Sequence, residues 1–382
     1  MVELRRAIHA EPELGLFTPR TSARVRAALA DLPLEWREGP STSGLVALLR
    51  GPANGRTVLL RADMDALPMP EETGLSFAST VPGAMHACGH DAHTAMLVGA
   101  ARLLCARREA LAGSVLFMFQ PGEEGHHGAR HMLDDGLIDP LPDAAFALHV
   151  MPNAPHGMVG GRPGPLLASA DRIQVIVTGR GGHASMPHDA LDPVPVACAI
   201  VGAFQTFVTR EVPVFDPAVV TITRVTAGTT HNVIPETAVL EGTIRTLSAR
   251  RRAAVQAGLR RVAEGVAAAH GASAEVRIEE GFPVTVCDPR AVAFAKATVE
   301  ELFAGAWRDL DAPIMGAEDF AYVLERVPGA MFFLGAAAEG ADWQRCCPLH
   351  STRMALDETV MARGAAVHAA LALRFLEQGF AA

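Results

Sequence analysis

The 382-residue chain carries 15 histidines, and ten of them fall between His86 and His188. Even spacing would put roughly four in that quarter of the chain. Clustered imidazole with carboxylates nearby is the composition of a metal or acid–base site. Within the cluster Cys88 and His90 stand two apart, with Gly89 relaxing the loop between them and Asp91 and His93 following. Thiolate and imidazole both suit Zn, and also Mn, Co or Ni. The rival for the same pair is a Cys–His nucleophile, which leaves Glu123, Glu124 and His149 without a task. Adjacent side chains diverge on a turning backbone, so Glu123 and Glu124 do not easily bind one ion together. One can coordinate a metal while the other faces the substrate. A carboxylate beside a metal-bound water accepts its proton and passes it on, which is general-base and then general-acid work.

These residues have to be positioned, and the elements around them alternate. Apolar runs at 44–49, 57–62, 114–119 and 144–150 read as strands, the first two joined by a Gly/Pro/Asn turn. Residues 2–32, broken at Pro12 and Pro19, together with 92–112 and 128–133, read as helices. Strands alternating with helices predict an α/β fold with a mostly parallel sheet. In such sheets ligands bind beyond the carboxyl ends of strands. Asp63 and Asp65 follow one strand, Glu123 and Glu124 a second, and His149 ends a third. A single His or Glu in such a place is more often structural; the joint pattern is not.

The pattern changes near Ala170. Strand 172–178, helix 193–209, strands 218–225 and 238–247, helix 249–270 and strand 274–278 follow in the order β-α-β-β-α-β. This split βαβ unit can fold as a small domain inserted into another. The division expected is therefore a catalytic domain in two parts, 1–169 and 287–382, interrupted by an insert at 170–286. The formal charge of −9 argues against a non-specific nucleic-acid binder. Lys296 is the only lysine, so almost all positive charge is arginine. Six scattered cysteines give no disulfide framework, which favours a reducing compartment. The start Val-Glu-Leu-Arg-Arg is charged and carries no apolar signal region, and no run of about 18 apolar residues appears. The expectation is a soluble, cytoplasmic protein with no membrane association.

Met85-His86-Ala87-Cys88-Gly89-His90-Asp91-Ala92-His93-Thr94 resembles the central motif of the aminoacylase and hippurate-hydrolase family of dinuclear metal-dependent amidohydrolases, related to glutamate carboxypeptidase. The likeness extends along nearly the whole chain. It includes His9, Pro12 and Glu13, the run Arg61–Pro68, Gln120–Glu124, Gly182-His183-Ala184-Ser185, Asn232-Val233-Ile234-Pro235, Gly316-Ala317-Glu318-Asp319-Phe320 and Leu349-His350.

The resemblance implies a zinc-exopeptidase-like catalytic domain with a βαββαβ, ferredoxin-like insert that serves as lid and dimerisation domain. It implies two divalent metal ions (Zn, Mn, Co or Ni) held by Cys88, His90, Glu124, His149 and His350, with Cys88 bridging them. Glu123 is then the general base and Asp65 a carboxylate that orients the ligands. His183 matches a histidine that stabilises the tetrahedral oxyanion, often from the partner subunit of a homodimer. Asn232 and Arg245 are candidates for the substrate carboxylate, Arg245 through a bidentate pair or else as a surface arginine. Asp91 and His93 either support the ligands or pack the start of a helix. The implied reaction is hydrolysis of the amide of an N-acyl-L-amino acid of the N-acetyl, hippurate or indole-acetic-acid-conjugate type. Alternatives within the fold are an N-acetyl-diaminopimelate deacetylase and a dipeptidase or carboxypeptidase. Outside that class stand a Cys88-dependent hydrolase and a non-catalytic metal-binding protein. Three departures stand out: Gly122 where alanine is usual, His126 and His127 where small residues are usual, and His231 in an apolar or aromatic place. His188 and His231 read as surface residues, and His126 and His127 as ligands, substrate contacts or solvent-facing groups.

Overall fold

The computed structural model describes residues 1–380. The chain opens with helices α1 (Val2–Ala10) and α2 (Pro19–Ala28), then strands β1 (Glu35–Glu38), β2 (Leu45–Arg50) and β3 (Arg56–Asp63). It continues through α3 (His90–Cys105), β4 (Gly113–Gln120), α4 (Gly128–Asp134), β5 (Ala144–Met151), β6 (Val159–Gly161) and β7 (Gly164–Leu167). Next come β8 (Ser169–Thr178), β9 (Gly182–His183), α5 (Pro193–Glu211), β10 (Ala218–Ala227), β11 (Val233–Ile234), β12 (Thr237–Thr246), α6 (Ala249–Ala269) and β13 (Ser273–Glu280). The chain closes with β14 (Thr285–Cys287), α7 (Pro289–Leu302), β15 (Trp307–Asp309), α8 (Ala321–Leu324), β16 (Gly329–Gly335) and α9 (Val360–Gln378). The chain forms two compact units: residues 1–166, 286–312 and 319–380 make the first, and residues 167–285 with 313–318 make the second.

The first unit is built on an eight-stranded sheet of order β1-β2-β4-β3-β5-β16-β6-β15. Its centre is parallel: β4 with β3, β3 with β5, and β5 with β16. The central strands are apolar on both faces, as burial between helix layers requires. Strands β2 and β3, joined by the Gly/Pro/Asn turn, are not neighbours, because β4 lies between them, antiparallel to β2 and parallel to β3. Helix α3 is buried almost all round, because α1 and α9 cover the side that the sheet leaves open.

The second unit has a four-stranded antiparallel sheet of order β10-β12-β8-β13 with α5 and α6 packed on it, the ferredoxin-like arrangement. On β8, buried Ile173, Val175 and Val177 alternate with more exposed Arg172, Gln174 and Thr178, as one-sided burial requires. The helices begin where Asp192 accepts from the Val194 amide and Ser248 from the Arg251 amide. Among the described residues α5 alone is long and apolar enough to cross a membrane. One of its faces instead fills this unit's core through Val196, Ala197, Ile200, Phe204 and Phe207.

Candidate active site

The carboxyl ends of β3, β4 and β5 and the start of α3 converge in the first unit. Cys88 and His90 flank Gly89, which holds φ +83°; a Cβ there would lie 2.3 Å from Val150 Cγ2. Glycine is therefore what lets thiol and imidazole sit on either side of so tight a bend. Gly122 opens the second key turn at φ +74°, and an added Cβ would meet Leu16 Cδ2 at 2.6 Å. The glycine at that departure fits a left-handed turn that alanine would strain. The Asp65 carboxylate fixes this turn, accepting the Glu123 amide at 2.9 Å and the Glu124 amide at 3.0 Å. Adjacent Glu123 and Glu124 are thus held by one side chain.

Three overlapping groups of possible ligands share these residues: Cys88–His90–His149, Cys88–Glu124–His350 and His90–Glu123–Glu124, with ligand atoms in each within 4.8 Å of one another. Cys88 belongs to two of the groups, as a bridging thiolate would. The imidazoles are oriented for ligation. His90 Nδ1 donates to the Asp65 carbonyl at 2.8 Å, and His149 Nδ1 to the Val150 carbonyl at 2.8 Å. Each ring thereby keeps its Nε2 free of the backbone, the atom that a metal would take in place of a proton. His90 Nε2 and Glu124 Oε1 are buried with only distant partners, Asp63 Oδ2 at 3.6 Å and His350 Nε2 at 3.4 Å. Buried polar atoms rarely make do with such long contacts, and a cation would give both a close partner. The donor set of sulfur, nitrogen and carboxylate oxygen fits borderline divalent metals. His350 takes φ +64°, an uncommon conformation for a side-chain-bearing residue. Its backbone is tied to the Ala87 carbonyl at 2.9 Å.

Charge in the cluster favours a bound cation. Burial opposes the charged form of His90, yet Asp63 and the Cys88 sulfur outweigh it and raise its pKa well above the ordinary histidine value. Burial likewise opposes the Glu124 carboxylate, but His350 and His90 hold it below its usual range. His350 is raised to about 10 by hydrogen bonds with Cys88 and Glu124. Burial pushes the Cys88 thiol up, with His90 only partly opposing. A nucleophilic cysteine needs the reverse shift, so this direction lends the Cys–His nucleophile no support.

Behind the ligands lies a buried brace that motif reading did not single out. Arg61 donates from Nη1 to Asp63 at 2.6 Å, from Nε to Gln120 at 2.8 Å and from Nη2 to Asp319 at 3.1 Å. Gln120 also donates to both Asp319 oxygens at 2.7 and 2.9 Å. The available signal was an arginine inside an otherwise apolar strand, since a buried charge requires partners. Asp91 sits in a second buried network with Arg5 at 2.7 Å and His9 at 2.8 Å.

The residues assigned to substrate lie in the second unit. His183 is exposed, and its Nδ1 accepts the Ser185 amide at 3.1 Å, which places the ring proton on Nε2 as an outward donor. Asn232 adjoins it: β9 pairs with β11, and the Ala184 amide donates to the Asn232 carbonyl at 3.1 Å. Arg245 is not brought together with them. The β12–β8 register runs from Thr237↔Thr178 to Arg245↔Ala170, eight residues along the strand, or about 27 Å. His183 and Asn232 flank the Thr178/Thr237 end, so one small substrate cannot touch both them and the Arg245 of the same chain. Asn232 and Arg245, both candidates for the substrate carboxylate, thus stand at opposite ends of the sheet within a single chain. His188 and His231 are exposed, His126 is exposed with its ring beside Gly15, and His127 is hydrogen-bonded to the Tyr322 hydroxyl at 2.9 Å.

Sulfur, imidazole and carboxylate groups that could hold metal ions, gathered at the carboxyl edge of an α/β sheet, fit the class of metal-dependent hydrolases. The chain belongs to the peptidase family M20/M25/M40, whose pattern matches residues 59–374, and it is a hydrolase acting on amides. It is 39% identical to an N-acetylcysteine deacetylase of Bacillus subtilis over 99% of this chain and 97% of that protein. It is 37% identical to thermostable carboxypeptidase 1 of Saccharolobus solfataricus over 98% and 95%. A solved dinuclear metal-binding peptidase of family M20 from Bacillus subtilis superposes with a TM-score of 0.85 at 37% identity, covering 98% of this chain and 97% of that one.

Proposed function

We propose that this chain hydrolyses the amide of N-acyl-L-amino acids, with two divalent metal ions held by Cys88, His90, Glu124, His149 and His350. The observation that carries this reading is the pair of imidazoles, His90 and His149, whose Nδ1 atoms are tied to backbone carbonyls and whose Nε2 atoms stay off the backbone, gathered with Cys88, Glu124 and buried Glu123. Two ions bound there supply Lewis-acid polarisation of the amide carbonyl and a water nucleophile at neutral pH. The chain does the rest. Asp65 fixes the backbone of Glu123, whose carboxylate takes the proton of the attacking water and returns it to the leaving amine nitrogen. The products are a carboxylate and a free amino acid. A carboxypeptidase substrate is itself an N-acyl amino acid whose acyl group is a peptide, so the two kinds of relative differ in acyl pocket rather than in chemistry.

His183 donates from Nε2 to the developing oxyanion, and Asn232 and Arg245 hold the substrate. Their separation along one sheet supports a homodimer in which one copy supplies the His183–Asn232 end and the other its Arg245. Strand β10 is an open sheet edge with exposed Val219 and Val225, and α5 turns exposed Cys198, Ala199 and Gly202 outward, a surface that suits a second copy. Six free cysteines, with Cys88 acting as a thiolate ligand, suit the reducing cytoplasm.

The test is Glu123→Gln assayed on N-acetyl, N-benzoyl and indole-acetyl amino acids and on a dipeptide. Turnover falls by about 10³-fold or more while zinc, manganese, cobalt or nickel content stays unchanged. Full activity in that variant overturns the reading, and the best substrate of the panel sets the acyl class.

A further inference from the structure

A fourth group of potential ligands, Asp63–His90–His93, lies beside the proposed centre and is wholly buried. Its hydrogen bonds show what it does. The Val150 amide donates to His93 Nε2 at 2.8 Å. A backbone amide can only donate, so Nε2 is the acceptor and the ring proton sits on Nδ1. That Nδ1 in turn donates to Asp63 Oδ1 at 2.6 Å. Both ring nitrogens are committed, so His93 has no lone pair for a metal. The other Asp63 oxygen takes Arg61 at 2.6 Å, and the Asp63 carbonyl accepts the Thr94 hydroxyl at 2.9 Å.

The Val150 amide is an instructive partner. Strand β3 pairs with β5 only as far as Arg61↔Ala147. Beyond that point β5 has no strand on its β3 side, and a buried amide there needs an acceptor. His93 supplies it. The carbonyl of the same Val150 orients His149 through Nδ1. The His93 and His149 rings pack edge to face with centroids 4.5 Å apart.

We propose that Asp63 and His93 are positioning residues that set the place and tautomer of His149 through the backbone on either side of the Val150 Cα. The inference rests on the metal-centre reading above. Arg61 aims Asp63, Asp63 fixes the His93 proton, His93 holds the end of β5, and that end presents His149 Nε2 to Cys88, 3.3 Å away.

The test compares two amides in place of His93. In His93→Asn the side chain reaches Asp63 but leaves the Val150 amide without an acceptor. In His93→Gln the amide oxygen takes the place of Nε2. Zinc is titrated into metal-free protein against a chelating indicator. Wild type binds two equivalents. His93→Asn weakens at least one by about 10- to 100-fold, and His93→Gln recovers most of that loss. In a His149→Ala background, His93→Asn adds nothing further, because the residue acts through that histidine. Unchanged zinc affinity in His93→Asn, or an additive effect in the His149→Ala background, overturns the proposal and leaves the metal centre standing. Wild type that binds no zinc overturns the centre itself. Should His93→Asn fail to fold, ring ¹⁵N spectra of the zinc-loaded wild type decide. A His93 signal with protonated Nδ1 and metal-free Nε2 supports the proposal, and a metal-bound His93 overturns it.

Discussion

The two units hold their chemically capable histidines in opposite ways. In the first, His90, His93 and His149 are buried, and each ring has a nitrogen committed to the backbone. In the second, His183 is exposed and held by its own neighbour Ser185. Burial suits groups whose geometry must not vary, because misplacing a ligand costs affinity directly. Exposure suits a donor that has to meet a substrate arriving from outside. The inserted unit presents groups, and the α/β unit fixes them.

The contrast can be broken at its strongest point first. Chelation should abolish activity completely, and added zinc, manganese, cobalt or nickel should restore it; activity that survives chelation ends the metal reading. Next comes the brace. Replacing Arg61 by Met leaves Asp63 and Asp319 buried without their cation, and melting should show a loss of about 3–5 kcal/mol. At the exposed end His183→Ala should lower kcat by about 10²- to 10³-fold while melting temperature and zinc content stay put. A comparable loss of stability there would erase the distinction between the units. Arg245→Lys keeps the charge but loses the planar fork, and should raise KM by about tenfold with a smaller change in kcat.

The smallest expected effect sharpens the picture of the first unit. Burial pushes His368 down to about 3 from 6.5, and its Nδ1 has no hydrogen-bond partner. A histidine depressed on folding contributes stability that is complete above about 6.5 and is lost as pH falls towards 3. His368→Leu should therefore flatten the acid limb of a stability–pH curve and add about 1 kcal/mol near neutral pH. An unchanged slope would show that other groups dominate acid unfolding.

What could be read from the sequence follows the distance over which each feature is encoded. Cys88 and His90 sit in one short loop, and Glu123 and Glu124 in one turn, so their spacing carries the chemistry on its face. The strands that deliver them are legible because burial on both faces leaves apolar runs. The order β2-β4-β3 is not legible, since all three strands are apolar on both faces and nothing local ranks them. Neither is the link from Asp63 to His93 to Val150, which joins three distant segments and uses a backbone amide that no residue type announces. Arg245 shows the converse limit. Its type suits a carboxylate, but only the strand register reveals that it stands at the far end of the sheet from Asn232.

Val150 serves one histidine with its N–H, another with its carbonyl and the Cys88–His90 bend with a methyl group. The two imidazoles never read its side chain. A residue of similar bulk can stand there without disturbing either hydrogen bond, so the letter is constrained only by the space beside Gly89. A change of chain length is a different matter. One residue gained or lost between the start of β5 and Val150 would turn both peptide groups to the opposite side. The constraint that protects this centre is thus one of counting, and it would appear among relatives as intolerance of gaps rather than as a preserved letter.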